Sequence, residues 1–471
     1  MSATVRGGGR SVEARSAALK RELGLTDLVL TQVLFIVGLP WVGVAAKQGP
    51  AHVVFWLIAL TLFYLPSAVV VTHLSRRMPL EGGLYQWAKL GFNELTGFLV
   101  AWNLWLFAIL NTSETGLQAT QYLVYAAGPR AEALASSPWF IAAVSTAIMI
   151  ALVVVTIIGL NVGKWVHKAG GAMMIAMFGA LLLLPWLNVR AGALASFHPL
   201  ATAAPVVSVM SLNLLGKMGF GAFGGFEYVA IHAGECRNPV RSIAWSVVIA
   251  APIIAVMFIL GTSSVLALVP IDQIDLIAPI PQVLSAGFGP LGGASMVAPI
   301  AILAMLCIRL AQASVMFTGN TRLPMVAGWD GLLPPWFTRV HPRFRTPVNS
   351  ILFVGAATLA LSIVGLIGVG KQEAFQLLWN ASAIFYALTY VVMFAIPLAG
   401  REASIGVKAS AVSAMLMTLL FISLSIVPIV QVESRLLFAL KISSLVVALN
   451  AIGAAIFLAK RSRNGAHRDD S

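Results

Sequence analysis

Long apolar stretches alternate along the chain with short polar, often basic, connections. The apolar segments fall near residues 25–45, 53–74, 92–126, 139–160, 169–188, 206–233, 243–268, 291–318, 348–368, 374–398, 409–430 and 436–459. Most are close to the roughly 20 residues that a helix needs to span a bilayer. They predict an all-α polytopic membrane protein of twelve transmembrane helices with both termini on one side. Polar residues inside these segments carry the most information, because each must face protein or water rather than lipid.

The sixth segment is the least regular. From Lys217 to Arg241 it reads KMGFGAFGGFEYVAIHAGECRNPVR, with Gly219, Gly221, Gly224 and Gly225 just ahead of Glu227. Glycine costs about 1 kcal/mol relative to alanine in a helix interior, so four together predict a broken helix. The first segment has a second interruption, IVGLPWVG at Ile36 to Gly43, where Pro40 lacks an N–H and clashes with the preceding turn. Close helix packing would also use such glycines, but packing alone has no need of Glu227. Segments 1 and 6 are five apart, the spacing of two inverted-topology repeats of five helices each, with helices 11 and 12 appended. The repeat is inferred from the paired interruptions, since the two halves are not visibly alike in sequence.

The third segment carries Asn103, Asn111, Glu114, Gln118, Gln121 and Tyr125 at spacings of three, four or their sums, which reads as one polar face and a cavity wall. Structural hydrogen bonding between helices is the alternative. Two cations also lie within apolar sequence: Lys217, shortly before the sixth-segment break, and Arg309, in the middle of MLCIRLAQASVMF. Pairing them with Glu114 and Glu227 would limit the cost of burying charge, although sequence does not say which goes with which. The tenth segment adds Trp379, Asn380, Ser382, Tyr386 and Thr389, of which the last two and Ser382 share a face. Trp41, Phe220, Phe223 and Phe226 are read as an aromatic lid or an ammonium cage, with ordinary packing as the alternative.

Charge orients the chain. Loops assigned inside hold Arg76, Arg77, Lys89, Lys164, Lys168, Arg237, Arg241, Arg322, Arg339, Arg343, Arg345, Arg401 and Lys408, whereas outside loops hold chiefly Lys47, Arg130, Arg190, Lys371 and Arg435. This bias puts both termini in the cytoplasm of a cell-membrane protein, inner or plasma membrane. It also explains the net charge of +13 without nucleic acid. Residues Met1 to Lys20 lack the apolar core and cleavage site of a signal peptide and are expected to remain uncleaved. The expected organisation is a cytoplasmic tail at 1–22, a ten-helix inverted-repeat transport core at 23–400, helices 11 and 12 at 401–460, and a cytoplasmic tail at 461–471. With 59% hydrophobic and 10% charged residues and a mean hydropathy of +0.91, the chain is far from a soluble domain, where about 25% of residues are charged. Cys236 and Cys307 form no disulfide framework, the seven histidines fall at span ends or in loops, and neither a metal-ligand cluster, a Gly-x-Ser-x-Gly elbow nor an ATP-binding glycine loop is present. No cofactor and no catalytic residue are expected, so the chain is not read as an enzyme.

Four stretches bear a family likeness: LGLTDLVL at Leu23 to Leu30; EGGLYQWAKLGF at Glu81 to Phe92 with Gly97 following; GFE and then GECRNPVRSI within Gly225 to Ile243; and RLPMVAGWDGLLPPWFTRVHPRFRTP at Arg322 to Pro347. Together they resemble amino acid permeases of the amino acid, polyamine and organocation superfamily, over most of the chain. The resemblance implies the five-plus-five inverted-repeat fold and a substrate held by backbone groups of the unwound helices 1 and 6, with helices 3, 8 and 10 completing the cavity. Two departures bear on this. A Gly-Ser-Gly-Ile-Phe type run in helix 1 is replaced by Gly38, Leu39, Pro40, Trp41 and Val42, which changes the carboxylate site. A lysine in helix 5 that stands in for sodium in many members falls near Met174.

The reading is a secondary active transporter that moves amino acids or related amino-group-bearing solutes by alternating access, driven by protons or by exchange with a counter-substrate. Alternatives are a polyamine or amine exchanger and, outside the class, a channel or transporter-like sensor. Substrate contacts are assigned to Val37, Gly38, Leu39, Pro40, Trp41, Asn111, Glu114, Gln118, Phe220, Gly221, Phe223, Gly224, Phe226, Ser382 and Tyr386, and coupling to Glu227, Glu114, Lys217 and Arg309. The expected partners are a small-molecule substrate, protons or counter-substrate, and membrane lipid, with no nucleic acid; a homodimer is left open.

Overall fold

The computed structural model describes residues 23–78, 83–228, 230, 236–293, 296–325, 333–364, 371–400 and 402–469. The tails before 23 and after 469, Glu81 and Gly82, Gly234 and Glu235, His232, Arg401 and the 326–332 part of the last motif lie outside those residues. The architecture is all-helical. It comprises α1 (Leu25–Ile36), α2 (Leu39–Ala46), α3 (Gly49–Arg77), α4 (Leu84–Gly91), α5 (Glu94–Ala127), α6 (Pro138–Ile158), α7 (Leu160–Arg190), α8 (Val209–Gly216), α9 (Pro239–Leu268), α10 (Pro279–Phe288), α11 (Val297–Asn320), α12 (Val348–Val364), α13 (Lys371–Ala399), α14 (Ile405–Ser425) and α15 (Arg435–Asp469). Among the described residues nine helices are long and apolar enough to cross a membrane, and counting the bent pair α1 and α2 as one span makes ten. Two short helices, α4 and α10, occupy connections in which no apolar segment was expected.

The first break follows from its residues. Val37 and Gly38 leave the helix in extended or irregular backbone, Pro40 falls in the first turn of α2 where its missing N–H is not needed, and the two halves meet at 46°. In the sixth segment the break is narrower than the glycine count suggests. Lys217–Ala222 continues α8 as a π turn, and between Lys217 and Tyr228 only Gly224 and Gly225 are free of helix. Gly225 has φ +139°, a conformation rarely open to other residues. Gly219 and Gly221 serve a different purpose, close approach, since a Cβ on Gly221 would lie 2.5 Å from the Trp41 ring and one on Gly219 2.7 Å from Met417.

α1 sits in the middle of the bundle. A Cβ on Gly171 of α7 would come within 2.6 Å of the Leu30 carbonyl oxygen, and one on Gly170 within 3.1 Å of Leu34, so small residues let α7 pack directly on α1. Gln32 of α1 donates to Ser246 of α9 at 3.2 Å, and Lys168 of α7 pairs with Asp27 at 2.8 Å. α5 is interrupted once, at Glu114 between two helical stretches. Both broken spans and this interruption converge on one region of the interior.

Candidate functional site

A central cavity of about 90 Å³ lies where these irregularities meet. Its wall takes Gly38, Leu39, Pro40 and Trp41 from the first break, Phe220, Gly221 and Gly224 from the second, Asn111, Glu114 and Gln118 from α5, Arg309 from α11 and Tyr386 from α13, all assigned from sequence. Gln312, Met316, Phe107 and Trp379 belong to the same wall and were not assigned to it. Gln312 was legible, because it lies three residues beyond Arg309 and so on the same helical face. Its amide donates to the carbonyls of Leu34 at 2.8 Å and Val37 at 2.7 Å, which satisfies two acceptors that the end of α1 exposes.

Arg309 organises the polar side of the cavity. Its guanidinium pairs with Glu114 at 3.0 Å, donates to Thr115 at 3.0 Å and donates through Nε to the Gln118 side-chain oxygen. Both charged side chains are nearly sealed, 7% exposed for Arg309 and 3% for Glu114. The second Glu114 oxygen, Oε2, is buried and has no hydrogen-bond partner among the described residues.

The other two charges do not pair with each other. Lys217 donates to the Asn380 side-chain oxygen at 2.8 Å and lies 5.7 Å from the centre of the Phe421 ring, outside the cavity wall. Glu227 is likewise behind the wall, where its carboxylate accepts from the hydroxyls of Tyr386 and Tyr390, and the Tyr390 oxygen accepts from the Gly225 N–H at 2.7 Å. The expected pairing of both cations with carboxylates is therefore corrected to one ion pair: neutral phenols and an amide meet the remaining charges. Tyr390 lies four residues beyond Tyr386, a helical spacing visible in sequence but not used.

Four other assignments move. Phe223 stacks on Tyr64 at 4.2 Å and packs edge-on against Trp56 and Phe258, and Phe226 stacks on Tyr64 at 4.6 Å, so Phe223 faces α3 and α9 and Phe226 faces α3 rather than forming a lid. Val37 contributes its carbonyl to Gln312 and stays out of the wall. Ser382 donates to the Phe107 carbonyl at 3.0 Å, a helix-to-helix bond. The α5 stripe also divides. Asn103 donates to Asn450 of α15 at 2.7 Å, because its eight-residue spacing from Asn111 rotates it by about 80°. Gln121 and Tyr125 instead donate to Asp275 at 3.3 and 3.2 Å, and Gln372 joins them at 3.3 Å, which ties α5, the segment before α10 and α13 together at one end. In the cavity wall the rings of Trp41 and Trp379 are in contact, 4.6 Å between centres, and Phe375 packs edge-on against Trp379 at 4.7 Å.

The described geometry can hold a small polar solute between a helix N-terminus, that of α2, and a wall whose one cation and one anion cancel. Comparison with known proteins agrees in kind. The amino acid permease family model matches residues 23–440. An uncharacterized transporter of Legionella pneumophila is 25% identical over 380 residues, covering 80% of each chain. Cationic amino acid transporter 6, chloroplastic, of Arabidopsis thaliana is 26% identical over 361 residues, 71% of this chain and 59% of that one. The branched-chain amino acid permease BcaP of Bacillus subtilis is 25% identical over 397 residues, 77% and 80%. Among solved structures, MhsT in complex with L-phenylalanine superposes with a TM-score of 0.58 over 86% of this chain and 98% of that one, at 13% identity, a likeness of fold alone.

Proposed function

The chain belongs to the amino acid permease family, and from that premise we propose that it is a secondary transporter of a zwitterionic amino acid, bound where the two helix breaks meet. Membership and the named transporter relatives make it a multi-pass membrane transporter rather than an enzyme. The substrate carboxylate lies toward the N-terminus of α2, where Leu39 opens the helix and Pro40 offers no donor. The ammonium lies toward the unpartnered Glu114 oxygen, and the side chain against Phe220, Met316 and Trp379.

The observation that carries this reading is the Glu114–Arg309 pair. A polyamine site needs an excess of negative charge, but the one carboxylate in the wall is matched by a guanidinium 3.0 Å away, and Glu227 is closed off behind Tyr386. An unbroken channel is disfavoured by the polar ties at both ends of the bundle, Asp275 with its three donors and Asp27 with Lys168. Transport by alternating access would open one of these at a time. Counting α8 with its π turn and the 17-residue α12 as spans beside the other ten gives twelve, arranged as two inverted repeats of five plus two, with the termini on the cytoplasmic side of the cell membrane. Glu227 is the proposed proton-coupling group, since opening at the second break would change what its carboxylate faces.

A thermal-shift series on the purified protein tests the substrate class. Neutral amino acids should stabilise it, by about 2.7 kcal/mol at 100 times the dissociation constant. Stabilisation by diamines and cationic amino acids alone would overturn the zwitterion reading. Accumulation of labelled solute against its gradient in sealed vesicles separates a transporter from a channel.

A further inference from the structure

α3 and α9 border a groove of about 880 Å³ on the flank of the bundle, separate from the central cavity. Both helices are irregular there, α3 through a π turn at Leu60–Tyr64 and α9 through an internal Pro252, and such features bend helices away from straight packing. The walls are aliphatic and open, with Leu65 48% exposed, Val69 43% and Val248 58%. One end is basic and polar instead, formed by Thr72, His73, Arg76 and Arg77. Arg77 is engaged by Glu402 at 2.7 Å, whereas Arg76 has no ion-pair partner among the described residues. Two guanidiniums against one carboxylate leave one positive charge at that end.

The dimensions suit a membrane lipid. Tyr64 to Arg76 is twelve residues, about 18 Å of helix, and half the hydrocarbon core is about 15 Å. With Arg76 among headgroups, Tyr64 stands near the bilayer midplane. We propose that this groove binds an anionic phospholipid, its phosphate held by Arg76 with His73 and Arg77 beside it and one acyl chain lying along the aliphatic wall to Tyr64. Arginine favours phosphate through paired N–H donors. A zwitterionic lipid brings its own ammonium to that phosphate and gains less from the uncancelled charge.

The end of the acyl chain reaches the second helix break. The Tyr64 ring stacks on both Phe223 and Phe226, the residues on either side of Gly224 and Gly225. An occupied groove backs Tyr64 and, through it, the second helix break. Lipid binding and the hinge thus share a contact.

Native mass spectrometry of the full chain in detergent, titrated with dioleoyl phosphatidylglycerol or dioleoyl phosphatidylcholine, tests the site. Phosphatidylglycerol should be retained preferentially. Arg76→Gln, an exposed change, should lower its apparent affinity about fivefold, the worth of one basic side chain near a membrane surface, and leave phosphatidylcholine unchanged. Ala251→Trp, placed in the groove wall, should reduce retention of both. Equal retention of the two lipids by the unaltered protein, or an undiminished phosphatidylglycerol preference in Arg76→Gln, would overturn the proposal. Since substrate-induced thermal shifts are read separately, the outcome does not depend on the substrate class.

Discussion

Removing one member of the Glu114–Arg309 pair should be far more damaging than removing both. The two groups are 3.0 Å apart and nearly sealed, so Arg309→Met leaves a carboxylate with no cation to meet it, and Glu114→Gln leaves the guanidinium with neutral acceptors and no anion. Breaking a buried pair in this way costs about 3–5 kcal/mol, while replacing both partners with uncharged groups is often close to neutral. The double variant Glu114→Gln/Arg309→Met should therefore be more stable than either single one, with a coupling energy of about 2–3 kcal/mol. Equilibrium unfolding in mixed micelles measures all four corners of the cycle. If the two single effects simply add within about 0.5 kcal/mol, the groups do not depend on each other and the charge-balanced wall is wrong. Arg309→Lys is a further arm, and it should recover only part of the loss, because an ammonium cannot reproduce the three directed bonds to Glu114, Thr115 and Gln118.

Three other outcomes follow from the geometry. Glu227→Gln keeps an acceptor for one of its two phenols, so counterflow exchange of labelled substrate should persist while pH-driven accumulation disappears; full pH-driven accumulation by the variant would remove Glu227 from coupling. Gly225→Ala places a Cβ 2.7 Å from Ile36 and 2.8 Å from Phe35 at a φ of +139°, which should cost about 1–3 kcal/mol and abolish uptake; normal uptake would show that the second break tolerates a side chain. Asp275→Ala removes the acceptor that Gln121, Tyr125 and Gln372 share, so labelling of an Asn111→Cys reporter by a membrane-impermeant thiol reagent, in a Cys307→Ser background, should speed up, and an unchanged rate would argue against a closing role for that cluster.

What the sequence made legible was where the backbone fails. Gly38 with Pro40, and Gly224 with Gly225, announce their breaks because each residue carries its conformational consequence wherever it stands. Less legible was what each side chain would meet. Gly219 and Gly221 looked like two more breaking points, yet they are small so that Met417 and Trp41 can approach, a need created by other helices. Of the α5 stripe, Asn111, Glu114 and Gln118, which fall within two turns, line the cavity, whereas the angular drift over eight residues turns Asn103 toward α15. Charge pairing was not encoded at all in spacing. Arg309 finds Glu114 at a sequence separation of 195 residues, and Glu227 finds two tyrosines at 159 and 163. Those distances are set by how the spans pack, not by a local pattern.

The Gln312 amide has a mechanical meaning beyond satisfying the carbonyls of Leu34 and Val37. Both of its N–H groups are committed to one short stretch at the end of α1, so α1 and α11 are stitched at two neighbouring points. A swing of α1 away from α11 must release both stitches together, at a net cost of about 1–3 kcal/mol for two such bonds. A swing that carries α11 along releases neither. Unless a ligand compensates the first route, the second is cheaper, and any flexing of the first span would then fall on Gly38, the residue just past the last stitch, with the amide of a single glutamine as the clasp that keeps α1 on α11.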